Sequence, residues 1–286
     1  MKGHGTENDF VVLPDLDAVV SLSPSMVRAL CDRRAGIGAD GVLRVTRTAL
    51  ATEPDVRAQA EVAEYFMDYH NADGSIAEMC GNGLRVFGRY LQQVGLAEAA
   101  GSLTVATRGG PKVLGFDGEH ISADLGPATV RSERPRVSAA GLAGEFDAVA
   151  LDLPNPHVVV ELGSVAELAA VRLTEPPQVR PELPEGQNVE FVVRTGPDRL
   201  RMRVHERGSG ETRSCGTGIC AVVAAVAGPW TGRGPGQQPA PAEWVVEVPG
   251  GECRVWWNAD GHLMLAGPAV LVATVELSPE WLAAHR

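Results

Sequence analysis

The sequence lacks the long apolar runs and leader segments that would assign it to a membrane or secreted protein. No apolar stretch approaches the roughly 18 residues that a helix needs to cross a bilayer. The opening residues, MKGHGTENDF, contain neither the apolar core nor the small-residue cleavage site of a signal peptide. These absences predict a cytoplasmic protein with no membrane partner.

The sequence is also poor in basic residues. The 25 lysines and arginines are outnumbered by 36 aspartates and glutamates, which gives a formal net charge of -11. Because binding to a phosphate backbone needs a basic face, we do not expect nucleic acid as a partner. The 286 residues, of which 44% are hydrophobic, are enough for one large or two modest domains.

The five cysteines fit neither a disulfide framework nor a metal site. Their number is odd in a long chain, and the sequence contains no CxxC pair and no HExxH motif. The nearest pair, Cys215 and Cys220, is not spaced like zinc ligands, so we expect no metal. We interpret Cys31, Cys220 and Cys253 as small core residues, because a buried cysteine commonly behaves as a hydrophobe.

What the sequence does contain is an internal repeat. The segment MDYHNADGSIAEMCGNG (67–83) aligns without a gap with MRVHERGSGETRSCGTG (202–218), which pairs Cys80 with Cys215. Upstream, Asn8-Asp-Phe and Asn155-Pro-His correspond at an offset of 147 residues. A repeat far longer than that of a solenoid predicts two similar domains, and a cleft between related halves is a natural ligand site.

Each repeated cysteine directly precedes a predicted helix, at Leu84–Gly95 and at Ile219–Gly228. A further amphipathic helix is predicted at Ser25–Arg33. Short β-branched runs predict strands at Phe10–Leu13, Gly41–Thr46, Val158–Leu162, Val189–Arg194 and Val245–Val248. The glycine- and proline-rich stretch between Gly228 and Trp244 predicts a surface loop whose role the sequence does not indicate.

The two Cys-Gly-x-Gly turns suggest proton transfer. Free N–H groups and the positive end of a helix dipole favour a thiolate over a thiol. The glycines let the backbone approach a ligand and leave its amides to hold a carboxylate. If one thiolate removed an α-proton and the other thiol returned one to the opposite face, a stereocentre would be inverted without a cofactor. We therefore take Cys80 and Cys215 as the acid/base pair of a cofactor-independent epimerase.

At these residues the sequence resembles the diaminopimelate epimerase family, in its actinobacterial branch, over essentially the whole chain. The motifs that carry the resemblance are KGHGTENDF (2–10), DRRAGIGADG (32–41), NADGSIAEMCGNGLR (71–85), NPH (155–157), GQNVEF (186–191) and ERGSGETRSCGTG (206–218). The resemblance implies interconversion of LL- and meso-2,6-diaminopimelate, which are lysine and peptidoglycan precursors.

With the repeat, the resemblance also implies an α/β (α+β) fold of two pseudo-symmetric domains, each a curved, mainly antiparallel sheet around a central helix. We place the N-terminal half at residues 1–128 and the C-terminal half at residues 129–269. A return of residues 270–286 to the first half is left open. The active site is expected in the cleft between the halves.

The resemblance assigns roles to individual residues as well. The amides of Gly81, Asn82, Gly216 and Thr217 would hold the carboxylate at the reacting carbon. The distal end of the substrate would be bound by polar side chains, namely Asn8, Asn71, Asn155, Asn188, Glu206 and Arg207. An arginine suits a carboxylate and a glutamate an ammonium group. His157 is a second-rank candidate, either a core histidine or a group that tunes a cysteine.

The sequence departs from the family pattern at several positions. Thr6-Glu7 stands where many members have Leu-Gly, which adds a carboxylate near Asn8. Gly41 replaces a glutamine that helps to bind substrate in some members, and His70 stands where an arginine is common in the same branch. These departures leave the reaction type unchanged and bear on the substrate.

Three other functions compete with this one. The first is an epimerase or racemase of the same fold that acts on another amino acid in specialised metabolism. The second is a thiol oxidoreductase, which the lack of a CxxC pair disfavours. The third is a non-catalytic amino-acid-binding protein, which the presence of both repeated cysteines disfavours. The sequence leaves a homodimer open.

Overall fold

The computed structural model describes residues 1–118, 120–228 and 242–285. The chain divides into two units, Met1–Ala123 with Gly267–Arg286, and Asp124–Ala266. The predicted glycine- and proline-rich loop falls mostly on residues 229–241, which lie outside the described residues. In the part of the chain that is described, no helix is both long enough and apolar enough to cross a membrane.

The first unit begins with a hairpin and continues with strands that alternate with helices. Its strands are β1 (Lys2–Gly5), β2 (Asn8–Pro14), β3 (Gly41–Arg47), β4 (Tyr65–Asn71), β5 (Ala100–Ala106), β6 (Lys112–Asp117) and β7 (His120–Asp124). Its helices are α1 (Pro24–Cys31), α2 (Pro54–Arg57) and α3 (Gly81–Gln93), with short 3-10 turns at Thr48–Leu50 and Ala58–Glu61. Strand β2 runs parallel to β3 and β4 parallel to β5, whereas β1–β2, β3–β4, β5–β6 and β6–β7 are antiparallel.

The second unit repeats this order. Its elements are β8 (Thr129–Val130), β9 (Arg136–Ser138), β10 (Phe146–Asp147), β11 (Val149–Leu153), β12 (Asn155–Glu161), α4 (Val165–Ala170), β13 (Gln178–Arg180), β14 (Asn188–Arg194), β15 (Arg199–Glu206), β16 (Gly210–Thr212), α5 (Gly216–Ala227), β17 (Trp244–Val248), β18 (Gly251–Trp257) and β19 (Leu263–Pro268). Strands β12 and β14 are parallel, as are β15 and β17, and β11–β12, β14–β15, β17–β18 and β18–β19 are antiparallel. The α/β fold class predicted from the sequence is confirmed.

The chain then returns to the first unit. Strand β20 (Val270–Ala273) pairs antiparallel with β1. Helix α6 (Pro279–Ala284) follows, and the indole N–H of Trp281 donates to the carbonyl oxygen of Ala35 at 3.2 Å. Trp281 and Leu282 also pack against the apolar cluster that surrounds α1. This return fixes the loop that follows α1, within the DRRAGIGADG motif.

Helix α3 packs against several strands of the first unit, and α5 packs against several strands of the second. Helix α5 is buried on nearly every side, as its uniformly apolar sequence predicts. Both helices begin three residues earlier than predicted, at Gly81 and at Gly216. Glycine has low helix propensity, so the Gly-x-Gly segment conceals the first turn in the sequence. The helix α1 also starts early, at Pro24, because Ser23 caps it and proline suits the first position.

A buried ion cluster holds β4 in place. The Asp68 carboxylate lies 2.8 Å from Nε2 of His70, 2.7 Å from Nη2 of Arg108 and 3.3 Å from Nη1 of Arg44. Burial alone would raise the pKa of Asp68, but the hydrogen bond and charge of His70, followed by those of Arg108, lower it to about 2. Here His70 is a structural residue, and the cluster steadies the strand that ends at Asn71.

Candidate active site

Cys80 caps helix α3. Its backbone is extended (φ −143°), and its Sγ accepts a hydrogen bond from the Gly83 N–H at 3.4 Å. The ladder of helical bonds starts with the Leu84 N–H, which donates to the Cys80 carbonyl at 2.8 Å. The sulfur is partly exposed and lies 3.7 Å from Oδ1 of Asn8, to which the thiol donates. Cys80 therefore stands at the positive end of a helix, with a predicted substrate-binding residue beside it.

A carboxylate that we did not predict orients Asn8. Its Nδ2 donates to Oδ2 of Asp40 at 2.8 Å, while its Oδ1 accepts from Nδ2 of Asn82 at 3.2 Å. An acceptor at one end and a donor at the other fix the amide, so its oxygen faces Cys80. Asp40 is held in turn by Arg33 at 2.7 Å. The signal in the sequence was the position of Asp40 at the end of the DRRAGIGADG motif.

The Thr6-Glu7 departure forms the turn that delivers Asn8 to this place. Gly5 pairs with Asn8, and the two residues between them have φ values of 49° and 60°. Such left-handed backbone is rare outside glycine and asparagine, above all for a β-branched threonine. The wholly buried Arg85 offsets the strain, since its guanidinium donates to Oγ1 of Thr6 at 3.2 Å. Because Arg85 belongs to α3, its bond to Thr6 ties this turn to the helix, and Arg85 also donates to Oδ1 of Asn82 in the first turn of α3.

Packing requires a glycine at position 41. A Cβ at Gly41 would lie 2.6 Å from the carbonyl oxygen of His70 and 2.7 Å from Cε2 of Tyr69. Both contacts are too short for a larger residue in this backbone. Across the sheet Gly41 pairs with Asn71, whose Nδ2 donates to Oγ of Ser75 at 3.0 Å. The first unit thus contributes Asn8, Asn71, Cys80 and the first turn of α3 to the predicted set.

In the second unit Cys215 occupies the N-cap position of helix α5, although its side chain makes no capping hydrogen bond. Its backbone is extended (φ −122°), and the Ile219 N–H donates to its carbonyl oxygen at 2.9 Å. Its Sγ lies 3.5 Å from Oγ1 of Thr217. The residue is buried, unlike the partly exposed Cys80. The two predicted cysteines are therefore equivalent in backbone position but differ in their surroundings.

Those surroundings reverse the expected effect on the Cys215 thiol. We expected a helix N-terminus to lower the pKa of a thiol, but burial raises the pKa of Cys215 well above its ordinary value. The charges of Glu206 and Glu190 raise it further, while Thr217 and the Gly218 N–H act in the opposite direction. In this conformation Cys215 is held as a thiol, so the expectation of a lowered pKa is wrong for this residue.

The residues around Glu206 form a connected group. The carboxylate of Glu206 accepts from Oγ1 of Thr212, and burial raises the pKa of Glu206. The next residue, Arg207, donates its main-chain N–H to Oδ1 of Asn188 at 2.9 Å. The other end of that amide, Nδ2, donates to the carbonyl oxygen of Pro156 at 3.2 Å. Asn188 therefore joins the main chains of two predicted site motifs.

His157 lies between two oxygen atoms in the interior of the second unit. Its Nδ1 is 2.7 Å from Oε1 of Glu190 and its Nε2 is 2.9 Å from Oδ1 of Asn155. Neither His157 nor Glu190 has any exposed side-chain surface. The structure thus connects His157 both to a predicted substrate-binding residue and to a carboxylate that we did not predict. The signal for Glu190 was a single charge within the apolar strand NVEFVV.

Solved structures with this fold include amino-acid racemases. A PhzF-family phenazine biosynthesis protein of Bacillus anthracis aligns with a TM-score of 0.64 at 16% identity, over 95% of this chain and 96% of that one. A probable proline racemase from Agrobacterium radiobacter aligns with a TM-score of 0.63 at 15% identity, over 98% and 93%. At such low identity these likenesses establish the fold. The chain therefore shares the fold of these two proteins.

Sequence comparison gives the family. A profile described as diaminopimelate epimerase matches residues 1–130 and 149–272. The diaminopimelate epimerase of Streptomyces coelicolor is 47% identical over 293 residues, which cover 99% of this chain and 96% of the relative. That of Thermobifida fusca is 49% identical over 278 residues, 95% of each. The chain belongs to the diaminopimelate epimerase family and is an isomerase.

Proposed function

We propose that the chain interconverts LL- and meso-2,6-diaminopimelate by a two-thiol proton transfer between Cys80, Cys215 and one α-carbon of the substrate. The observation that carries the proposal is the repeated geometry. Each cysteine stands at the N-cap of a helix that packs on the strands of its unit, within the residues that the family profile matches. This equivalence is what a reaction with one acid and one base on opposite faces of a carbon requires.

The protonation states set the direction of transfer. Burial and two carboxylates favour the thiol form of Cys215, so in one direction Cys80 is the base. Its thiolate takes the α-proton, and the electron pair of the broken C–H bond delocalises into the carboxylate. Cys215 then gives its proton to the opposite face and becomes the thiolate. The reverse reaction starts from that state, in which Cys80 is the thiol.

The amides at the first turns of α3 and α5 would stabilise the charge that develops on the carboxylate. Gly81, Asn82, Gly216 and Thr217 lie in these turns. A helix N-terminus offers N–H donors and a positive dipole to an anion. Donors placed where charge develops typically account for a large part of catalysis. The scheme accordingly needs neither a metal nor a cofactor.

The distal amino-acid end of the substrate would be bound by side chains around both motifs. With its Oδ1 hydrogen-bonded to His157, Asn155 presents its Nδ2 as a donor for a carboxylate. The exposed guanidinium of Arg207 provides a planar pair of donors for the same group. Asn188 supports this contact through the Arg207 main chain. Glu206 would accept from the ammonium group.

Asn8 and Asn71 would complete the substrate-binding set from the first unit. The hydrogen bonds of Asn8 direct its oxygen to Cys80 and Asn82. An amide oxygen suits an ammonium donor on the substrate. A cytoplasmic location and a homodimer remain predictions.

Proton exchange in deuterated water tests the proposed function. Reduced protein is incubated with LL-diaminopimelate in D2O. The stereoisomers are then separated by chiral chromatography, and the deuterium content of each is measured by mass spectrometry. We expect meso-diaminopimelate with one α-deuterium. Cys253→Ala, which changes another buried cysteine of the second unit, should leave the rate unchanged, whereas Cys80→Ala should abolish it.

The rival epimerase predicts a different outcome. It would exchange the α-proton of another amino acid, such as proline or hydroxyproline, while both stereoisomers of diaminopimelate stay unlabelled. Exchange confined to such an amino acid would refute the proposed substrate and retain the two-thiol reaction.

A further inference from the structure

The two units carry different side chains at one pair of equivalent buried positions. In the first unit Val12 pairs with Leu43 between the parallel strands β2 and β3. In the second, Val159 pairs with Glu190 between the parallel strands β12 and β14. Val159 and Glu190 each lie 147 residues after Val12 and Leu43, which is the offset of the repeat, so Glu190 is the counterpart of Leu43. By the same offset His157 is the counterpart of Phe10.

Leu43 and Glu190 also occupy the same place relative to the cysteine turns. A Cβ added to Gly83 would lie 3.2 Å from Cδ2 of Leu43, and one added to Gly218 would lie 2.7 Å from Oε1 of Glu190. Each side chain therefore packs against the first turn of the helix that its cysteine caps. Beside Cys80 this position is apolar, and beside Cys215 it carries a carboxylate.

Stability does not explain this difference. Phe10 and Leu43 are wholly buried in the first unit, so the fold accepts an apolar pair at this position. A buried ion pair seldom stabilises a protein more than apolar residues of similar volume. In addition, Oε2 of Glu190 is buried without a hydrogen-bond partner among the described residues, which is unfavourable. A buried carboxyl group that does not stabilise the fold points to a role in the reaction.

The ring of His157 fixes the position of its partner. Its two nitrogens face oxygen atoms, Oε1 of Glu190 and Oδ1 of Asn155. Glu190 is the member of the pair that touches the first turn of α5.

We propose that Glu190 is a positioning residue that makes the two thiols unequal: its carboxylate, held by His157 against α5, keeps Cys215 in the thiol form as the resting proton donor. This proposal rests on the proposed function and extends it by assigning the resting protonation state to one residue. The counterpart beside Cys80 is the uncharged Leu43.

The groups that face Cys215 come from several elements. Burial is the largest cause that raises the pKa of Cys215, and the charges of Glu206 at the end of β15 and of Glu190 on β14 raise it further. His157 on β12 lies behind Glu190. From α5 itself come the hydroxyl of Thr217 and the first-turn amides. A test must therefore alter Glu190 and leave Glu206 in place.

Alkylation of the free enzyme tests the proposal without any substrate. The rates at which iodoacetamide modifies Cys80 and Cys215 are measured against pH by peptide mass spectrometry in the wild type and in Glu190→Gln. We expect the midpoint for Cys215 to fall by about one pH unit, which makes its alkylation near neutral pH about tenfold faster. The midpoint for Cys80 should not move.

Glu161→Gln provides the matched control. Glu161 belongs to the same unit, is exposed, and pairs with Arg194 at the surface. Its removal subtracts the same charge from the unit and should leave both midpoints unchanged. An unshifted Cys215 midpoint in Glu190→Gln would overturn the proposal, as would an equal shift in Glu161→Gln.

The double variant His157→Phe/Glu190→Leu separates this role from a structural one. It copies the pair of the first unit, so it should fold with a Tm no lower than that of the wild type. We expect kcat/KM to fall by about tenfold or more and the alkaline limb of its pH profile to move to lower pH. A folded double variant with the wild-type rate and profile would overturn the proposal.

The proposed function and the role of Glu190 can be refuted independently of each other. If the wild type did not epimerise diaminopimelate, the proposed function would be wrong, yet the alkylation midpoints would still be measurable. If the wild type is active and Glu190→Gln keeps the wild-type midpoint for Cys215, only the role of Glu190 is refuted.

Discussion

A methyl group at Gly218 should damage the Cys215 turn more than a methyl group at Gly83 damages the Cys80 turn. At Gly218 the added Cβ lies 2.7 Å from Oε1 of Glu190, about 0.6 Å closer than an ordinary C···O contact. Glu190 is wholly buried and held by a 2.7 Å hydrogen bond to His157, so it has little room to move. At Gly83 the nearest atom is the end of Leu43, at 3.2 Å, which needs to shift by only a few tenths of an ångström.

The magnitudes follow from these distances. Overpacking of a buried site costs about 1–3 kcal/mol, while replacing glycine by alanine within a helix gains up to about 1 kcal/mol. For Gly83→Ala the two terms nearly cancel. Gly218→Ala should be less stable than Gly83→Ala by about 1–2 kcal/mol. Since the new Cβ lies 3.4 Å from Sγ of Cys215, a displaced turn also moves the thiol, and kcat/KM should fall by roughly 10- to 100-fold.

Urea unfolding of the two reduced variants gives the stability difference, and the epimerase assay gives kcat/KM. The wild type is measured alongside both. Equal stabilities together with wild-type activity in Gly218→Ala would show that Glu190 does not pack against this turn as described.

Two further substitutions test the supports of the site. Asp68→Asn removes a carboxylate whose pKa in the folded protein is lowered to about 2. Because this pKa is lowered by folding, the ionised Asp68 adds about 2.5 kcal/mol to the free energy of unfolding above pH 4, and this contribution is lost as the pH falls towards 2. Urea titrations should show a loss of about 3–5 kcal/mol at pH 7 in Asp68→Asn and less acid dependence than in the exposed control Asp147→Asn; equal curves would contradict the buried cluster. Asn188→Ala releases the main chain of Arg207, and we expect KM for diaminopimelate to rise about tenfold with a smaller change in kcat. An unchanged KM would exclude Arg207 from substrate binding.

The local chemistry of the site could be predicted from the sequence because the residues concerned lie in contiguous sequence motifs. Both Cys-Gly-x-Gly turns precede helices, as their spacing predicts, and the repeat at an offset of 147 residues reappears in the strand register. Both helices were predicted to start too late, since glycine at positions 81 and 216 gives no sign of the first turn that follows each N-cap cysteine.

The charged surroundings of the site could not be predicted in the same way. His157 meets Glu190 across two parallel strands, 33 residues apart in the chain, and nothing in a local pattern links them. The raised pKa of Cys215 depends on burial and on carboxylates from two different strands. A sequence shows that a thiol stands at a helix N-terminus, but the charges that outweigh the helix dipole depend on tertiary structure.

The source of the hydrogen on the inverted carbon tests the two-thiol reaction most directly. A single turnover of LL-diaminopimelate is run in D2O with the reduced enzyme, and the product and the unreacted substrate are analysed separately. If Cys80 removes the proton and Cys215 donates another, essentially every meso product carries deuterium at the inverted carbon, while the remaining substrate carries none. Product that keeps the hydrogen of the substrate would show that a single base returns the same proton, and would contradict the account.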